Sequence, residues 1–297
     1  EIYQCDWSSD VCSSDLGAWW ALAHATIRRG DGSPVWASRS RPARSSSPRR
    51  QSSRERRLAG LSLLDGVHLL QAYHARHGAP EQLIVSDNGM ASTEIQALLR
   101  ACESAKTLQL SDGLFKHLSS VATPTGIIAA IKTPRREAMP AKLETCVMLE
   151  DLQDPGNLGS ILRSCAAAGV KQIFLSKQTV NAWSPRVLRA AMGAHFSVEI
   201  YERIDLIALA RRFPGRVLAT RMNATQSVFN ADLTGSVALI FGNEGAGVSA
   251  ELAACSEEAI AIPMTAETES LNVAAAAAVC LFERVRQHQQ LQQQQRQ

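Results

Sequence analysis

Val237-Ala238-Leu239-Ile240-Phe241-Gly242-Asn243-Glu244-Gly245-Ala246-Gly247-Val248-Ser249 is the stretch that decides the fold. Five apolar residues run without a break into a loop with glycine at 242, 245 and 247. An uninterrupted apolar run of this kind suits a parallel strand covered on both faces. The glycines free the backbone to turn sharply or to approach a ligand closely. Ligands of open α/β sheets sit beyond the carboxyl ends of the strands. The stretch therefore predicts a buried strand with a ligand loop at its end, and Glu244 stands in the middle of that loop.

Working outward, strand and helix signals alternate around it. Thr145–Leu149, Gln172–Leu175, Phe196–Ile200, Arg216–Ala219 and Ala259–Ile262 read as strands, the last stopped by Pro263. Between the first two, Glu150 to Asn157 is a turn, and Asn157 is placed to cap a helix from Leu158 to Ala168. On that helix Leu158, Ile161, Leu162, Cys165 and Ala166 share one face, and Arg163 points away, flanked by Ser160 and Ser164. Trp183–Met192 reads as a helix with Pro185 near its start. A final helix starts near Ser270-Leu271-Asn272 and runs through Ala274–Ala278 to about Arg286. The glutamine-rich tail, 287–297, reads as disordered.

A smaller alternating region precedes this one. Leu61–Leu64, Gln82–Ser86, Thr107–Leu110 and Gly126–Ile131 are expected strands. Val67–Tyr73, Thr93–Cys102 (capped by Thr93) and Asp112–Leu118 are expected helices. The alternation predicts a compact α/β domain over 54–132. His68 and His74 lie six apart, which is not the spacing of helical neighbours, and no catalytic constellation is visible there. The proline-bearing segment 133–143 reads as a linker.

The first fifty-three residues read differently. Four of the five tryptophans lie at 7, 19, 20 and 36, and Ser8-Ser9-Asp10 recurs as Ser13-Ser14-Asp15. Glu1 to Leu16 resembles a translated cloning adapter, and an acidic start with no clean apolar core speaks against a signal peptide. Arg39 to Arg57 holds eight arginines and one glutamate, a charge of +7. It is either a disordered lead-in or a basic arm that adds sequence-independent RNA affinity. Without it the chain's net +3 becomes 3 − 7 = −4, so any basic surface elsewhere must be local.

Composition narrows the function classes. Hydrophobic content of 45% and charged content of 20% are those of a globular chain, and no apolar stretch is long enough to span a membrane. The cysteines at 5, 12, 102, 146, 165, 255 and 280 form no C-x-x-C pair, so neither a zinc site nor a disulfide framework is expected, and a reducing cytoplasm is the simplest compartment. A P-loop would need Lys-Ser/Thr after its last glycine, where this loop has Val248-Ser249. A Rossmann fingerprint would be G-x-G-x-x-G near the start of the fold, and this loop is G-x-x-G-x-G and late.

Three blocks together carry a resemblance. They are Asp154-Pro155-Gly156-Asn157-Leu158-Gly159-Ser160-Ile161-Leu162-Arg163, then Ile240 to Ser249, then Ile262-Pro263-Met264 followed by Ser270-Leu271-Asn272-Val273-Ala274. In this order they resemble the SpoU (TrmH-like) branch of the SPOUT RNA methyltransferases over roughly 144–286. The resemblance implies a mostly parallel α/β sheet with flanking helices, tied in a trefoil knot. It also implies methyl transfer from S-adenosylmethionine to a ribose 2′-hydroxyl, homodimers and no metal. Residues 54–132 more loosely resemble the substrate-binding domain that many members carry, which favours ribosomal RNA over transfer RNA. Arg163, Asn157, Glu244, Ser270 and Asn272 match the family's polar site positions. Gly242, Ile262 and Leu271 match positions that contact the cofactor, with Thr220 a further candidate. Arg163 is expected beside the target ribose. Each has a plainer reading: Asn157 and Ser270 as helix caps, Glu244 as an acceptor of backbone N–H groups, Arg163 as a solvated arginine. A non-catalytic RNA-binding protein on the same fold is the alternative function.

Overall fold

The computed structural model describes residues 2–3, 59–136, 138–265 and 270–296. They form two units, divided between Thr133 and Pro134. The expectation of a lead-in over 1–53 lies outside the described residues, apart from a two-residue strand, Ile2–Tyr3 (β1), paired parallel to a strand of the first unit.

In the first unit, Leu61–Asp65 (β2), Gln82–Ser86 (β3), Lys106–Leu110 (β4) and Ile127–Lys132 (β5) form a sheet in the order β1-β4-β3-β5-β2. β3 and β4 are parallel, and β5 runs antiparallel to both β3 and β2. The helices are Val67–His77 (α1), Asp87–Met90 (α2), Thr93–Ala101 (α3) and Asp112–Leu118 (α4). Leu63, Ile84, Phe115, Ile128 and Ala130 form one core cluster. Thr93 is not the cap of α3. Ser92 is, its hydroxyl accepting the Ile95 amide at 3.5 Å.

The second unit contains seven strands: Cys146–Leu149 (β6), Gln172–Leu175 (β7), Glu199–Tyr201 (β8), Arg216–Thr220 (β9), Gln226–Ser227 (β10), Val237–Phe241 (β11) and Glu258–Ala261 (β12). Their order is β10-β12-β9-β11-β6-β7-β8, and every neighbouring pair is parallel. Helices are Pro155–Ala167 (α5), Pro185–Ala191 (α6), Leu206–Arg212 (α7), Ala250–Ala253 (α8) and Val273–Gln294 (α9). β11 lies between β9 and β6, and all five of its residues are fully buried. The period of two divides the strands between faces. Cys146, Met148, Ala238 and Ile240 join Leu206, Leu209 and Leu252 of α7 and α8 in one core cluster. The buried stripe of α5, Leu158, Ile161, Leu162 and Cys165, matches its expected apolar face.

Several expectations need correction. Phe196–Ile200 is not one strand: Ala194–Phe196 is a turn of 3₁₀ helix and β8 starts at Glu199. The tail is not disordered from 287. α9 continues to Gln294, and Gln287 is fixed by accepting the Leu233 amide at 2.8 Å and donating to the Ala231 carbonyl at 2.9 Å. Glutamine is a good helix former, so a polar repeat extends the helix rather than ending it. The linker packs on the second unit, where Met139 and Leu143 are partly buried against the core and Arg136 pairs with Glu199 at 3.0 Å. No helix among the described residues is long and apolar enough to cross a membrane.

Candidate functional site

The parallel pairing sets Phe241 beside Leu149, so the loops leaving β11 and β6 emerge side by side. The loop after β11 is closed by its own backbone. Asn243 and Gly247 exchange both main-chain hydrogen bonds at 3.0 and 2.9 Å. The Asn243 side-chain oxygen accepts the Gly245 and Ala246 amides at 2.9 and 3.0 Å. This fold-back explains Gly242. A Cβ there would meet the Gly247 carbonyl carbon at 2.0 Å and the Val248 nitrogen at 2.2 Å. Of the two uses expected of these glycines, the tight turn is the one seen at Gly242, whose side-chain direction is filled by the loop itself.

The turned-back loop presents Glu244 to the loop after β6. Its carboxylate accepts the Gln153 amide at 3.2 Å, the Asp154 amide at 3.0 Å and the Asn157 side-chain amide at 3.1 Å. Burial alone would push this carboxyl up. The Asp154 amide, the Asn157 side chain and further backbone donors outweigh it and hold the pKa below the usual carboxylate range. Asn157 then accepts from Asn272 Nδ2 at 2.9 Å. Glu244, Asn157 and Asn272, 87 and 115 residues apart in sequence, thus form one chain of side-chain bonds joining three loops.

Two caps differ from expectation. Asp154, not Asn157, caps α5, accepting the Asn157 amide at 2.8 Å with Pro155 in the first turn. Asp-Pro is a legible helix start, since proline fits the first helical position. Displacing the cap by three residues frees the Asn157 side chain for Glu244 and Asn272. Asn272, not Ser270, caps α9, its oxygen accepting the Ala274 and Ala275 amides at 2.9 and 3.3 Å. Ser270 and Leu271 are exposed beside it.

Further braces have no signature in the sequence. Glu150 accepts the Ser249 amide at 2.7 Å and its hydroxyl at 2.6 Å, binding the far end of the β11 loop to the end of β6. Asn243 donates to the Asp151 carbonyl at 2.8 Å, and Asp151 adopts a left-handed conformation at φ 52. Such pairings between distant segments leave no local signal. Thr220, at the end of β9, donates to the Ile240 carbonyl at 2.9 Å, so its hydroxyl proton serves the sheet. Ile262 lies beyond β12 and lines an open cleft of about 450 Å³ with Met222, Asn223, Thr225, Pro263 and Met264. Arg163 is outside the hub. It is exposed on α5, six residues or about 9 Å of helix beyond Asn157.

The strand-end loops and their bonded side chains all lie within one family match. Residues 144–282 match the model of the SpoU rRNA Methylase family. An uncharacterized tRNA/rRNA methyltransferase of Synechocystis is 34% identical over 62% of this chain and 69% of its own length. The chain belongs to the SpoU family. The 23S rRNA (guanosine-2'-O-)-methyltransferase RlmB of Photorhabdus laumondii is 32% identical over 67% of this chain and 87% of its own. The AdoMet-bound rRNA methyltransferase of Sinorhizobium meliloti has a similar structure, with a TM-score of 0.68 at 26% identity over 79% of this chain and 90% of that one. Membership of the SpoU family gives the bonded loops a chemical context that geometry alone does not supply.

Proposed function

We infer that this chain is an RNA 2′-O-methyltransferase that uses S-adenosylmethionine, with a structured RNA, ribosomal in preference to transfer, as its substrate. The observation that carries the reading is the Glu244–Asn157–Asn272 bond chain, which fixes three loops at the carboxyl edge of a parallel sheet, where such folds bind ligands. The residues present fit the cofactor. The cleft beside Ile262 is lined by both polar and apolar residues, among them Asn223, Thr225, Met222, Pro263 and Met264, and Gly242, Leu271 and Thr220 are further cofactor-contact candidates by family resemblance alone. When bound, S-adenosylmethionine supplies an electrophilic methyl group.

The protein's own part is positioning and electrostatics. A guanidinium has donors and no acceptor, so Arg163 serves as a donor rather than a base. Its planar fork suits a phosphate next to the target ribose, or the alkoxide that develops on the 2′-oxygen. Glu244 is ionised with both oxygens occupied, so it acts through Asn157 and the β6 loop as a positioning residue. Asn272, which caps α9 and bonds Asn157, holds the third loop, and Ser270 is exposed two residues before it. The small unit, 54–132, is the RNA substrate-binding domain in this reading, and the chain works as a cytoplasmic homodimer. Exposed Phe282 and Leu271 support a second copy against α9. The knotted path belongs to the same proposal, supported by the insertion of β11 between strands that precede it in the chain.

Titration calorimetry tests this directly. Binding of S-adenosylmethionine is expected, and the Arg163→Ala variant should bind it near normally while losing methyl transfer. A wild-type chain that binds no cofactor at millimolar concentration favours the alternative, a non-catalytic RNA-binding protein on this fold.

A further inference from the structure

Charge in the second unit is segregated along the chain. Residues 134–297 contain sixteen Lys and Arg and sixteen Asp and Glu, a net of zero. Residues 155–198 contain Arg163, Lys171, Lys177, Arg186 and Arg189 and no acidic residue, a net of +5. The rest of the unit therefore carries 0 − 5 = −5. An acid-free run of this length across two helices and a strand is not a solvated face of mixed sign. It biases the surface it forms toward positive potential. The carboxylates that reach it come from outside the run, among them Glu202 on the Ala182 amide at 3.1 Å and Glu244 on the Asn157 side chain at 3.1 Å.

The fold turns that run into a ridge. α5 and α6 pack in close contact because Gly159 has no side chain; a Cβ there would meet Ala190 Cβ at 2.4 Å and the Val187 carbonyl at 2.9 Å. Val187, Leu188 and Ala191 are buried, which leaves Arg186 and Arg189 exposed at a spacing of three on the outer face of α6, with exposed Met192 just past its end. Arg163 is one helical turn past Gly159 on α5, and so flanks the same packing line. Lys177 is exposed on the β7–α6 loop. Among the described residues no ion pair to Arg163, Lys177, Arg186 or Arg189 is recorded, whereas Arg136, Arg216 and Arg286 each have a carboxylate partner. The ridge is held rigidly from below. Trp183 and His195 are in ring contact at 5.0 Å, and His195 Nε2 donates to the Ala182 carbonyl at 2.7 Å.

We propose that the α5–α6 ridge is the surface on which this unit grips the RNA sugar–phosphate backbone, with Arg186 and Arg189 each neutralising a phosphate in line with Arg163. Guanidinium forks suit phosphate oxygens, and contacts of this kind position a nucleic acid without reading its sequence. The proposal rests on the RNA methyltransferase reading and assigns the route by which RNA reaches Arg163.

The test measures binding of a fluorescein-labelled RNA stem-loop of mixed sequence against salt concentration, by anisotropy, for the whole chain. Each phosphate contact contributes roughly 0.7–0.9 to the slope of log K against log salt. The Arg186→Gln/Arg189→Gln variant should therefore lose about 1.5 from that slope, keep its unfolding midpoint, and bind S-adenosylmethionine as the wild type does. Arg211→Gln/Arg212→Gln on α7 removes the same charge elsewhere and should leave the slope nearly unchanged. Equal losses in both variants, an unchanged slope in the first, or no salt-dependent RNA binding by the wild type overturns the proposal. So does binding of phosphatidylglycerol vesicles that exceeds RNA binding and is lost in the same variant. Failure of the underlying reading is a separate result, absent cofactor binding in the wild type.

Discussion

The two sheets solve the same problem at their carboxyl edges in different ways. In the first unit the edge combines a close backbone-to-backbone approach at two glycines with one carboxylate brace, Asp65. Gly89 and Gly126 lie so close that a Cβ on Gly89 would meet the Gly126 carbonyl oxygen at 2.3 Å, and Ser86 caps α2 by accepting the Gly89 amide at 3.0 Å. Asp65 accepts from Ser119 Oγ at 2.7 Å and from the Ser120 amide at 2.9 Å, completing a self-contained rim. In the second unit the edge is held by side chains reaching across some ninety residues: Glu244 to Asn157, Glu150 to Ser249, Asn243 to Asp151. Backbone closure seals an edge. Side-chain closure fixes the loops while leaving a surface that chemistry can use, and this is the edge that bears the candidate site.

Substitutions can break that contrast, beginning with the largest effect. Gly242→Ala forces a methyl into the Gly247–Val248 backbone and should destabilise the second unit by about 3 kcal/mol in urea unfolding. Gly245→Ala, where the nearest atom is Asn243 Oδ1 at 3.6 Å, should be nearly silent. Equal effects would show that the loop does not fold back as described. Gly89→Ala should destabilise the first unit by a similar amount while leaving S-adenosylmethionine binding intact, separating a sealing glycine from a site glycine.

The next effect is one of pH. Burial holds His195 down to about 4, against about 6.5 for an ordinary histidine. Between those values the unfolded chain binds the proton and the folded chain does not. Stability should therefore fall as pH drops from about 6.5 to about 4. His195→Gln keeps a donor near the Ala182 carbonyl but does not titrate, so its urea midpoint should be flatter across that window. A parallel decline in both proteins would remove His195 as the cause.

The smallest expected stability change is at the hub. Glu244→Gln removes the charge from three hydrogen bonds at an exposed position and should cost about 1 kcal/mol. Because the folded carboxyl is held below its ordinary value, this contribution is present above the unfolded pKa of about 4.3 and is lost as pH falls through the lower folded value. The variant should show a correspondingly weaker acid dependence. Its effect on methyl transfer should exceed its effect on stability if Glu244 positions Asn157.

What was legible in the sequence follows from this contrast. β11 could be read because five apolar residues without alternation have few other destinations, and the α5 stripe because Leu158, Ile161, Leu162 and Cys165 keep helical spacing. The small-unit elements Gln82–Ser86 and Asp112–Leu118 carried the same local signals. Caps are ambiguous where two candidates stand one to three residues apart, as Ser92 and Thr93 or Asp154 and Asn157 do; for the latter pair only tertiary bonding assigns one to the helix and the other to the hub. The tail is helical because glutamine's helix propensity outweighs what its low-complexity composition suggests. Gly242 was identified as a site residue by resemblance, but its physical reason, contact with Gly247 and Val248, is a fold-back that no spacing reveals. The Glu150–Ser249 brace was invisible for the same reason.

The most direct measurement is methyl transfer itself. The purified chain would be incubated with S-adenosylmethionine carrying an isotopically labelled methyl group and with unmodified ribosomal RNA, and the digested nucleosides analysed by mass spectrometry. Label is expected on a ribose 2′-oxygen, and is expected to be lost with Arg163→Ala. Label on a base, or no transfer by a chain that binds both cofactor and RNA, would contradict the 2′-O-methyltransferase reading.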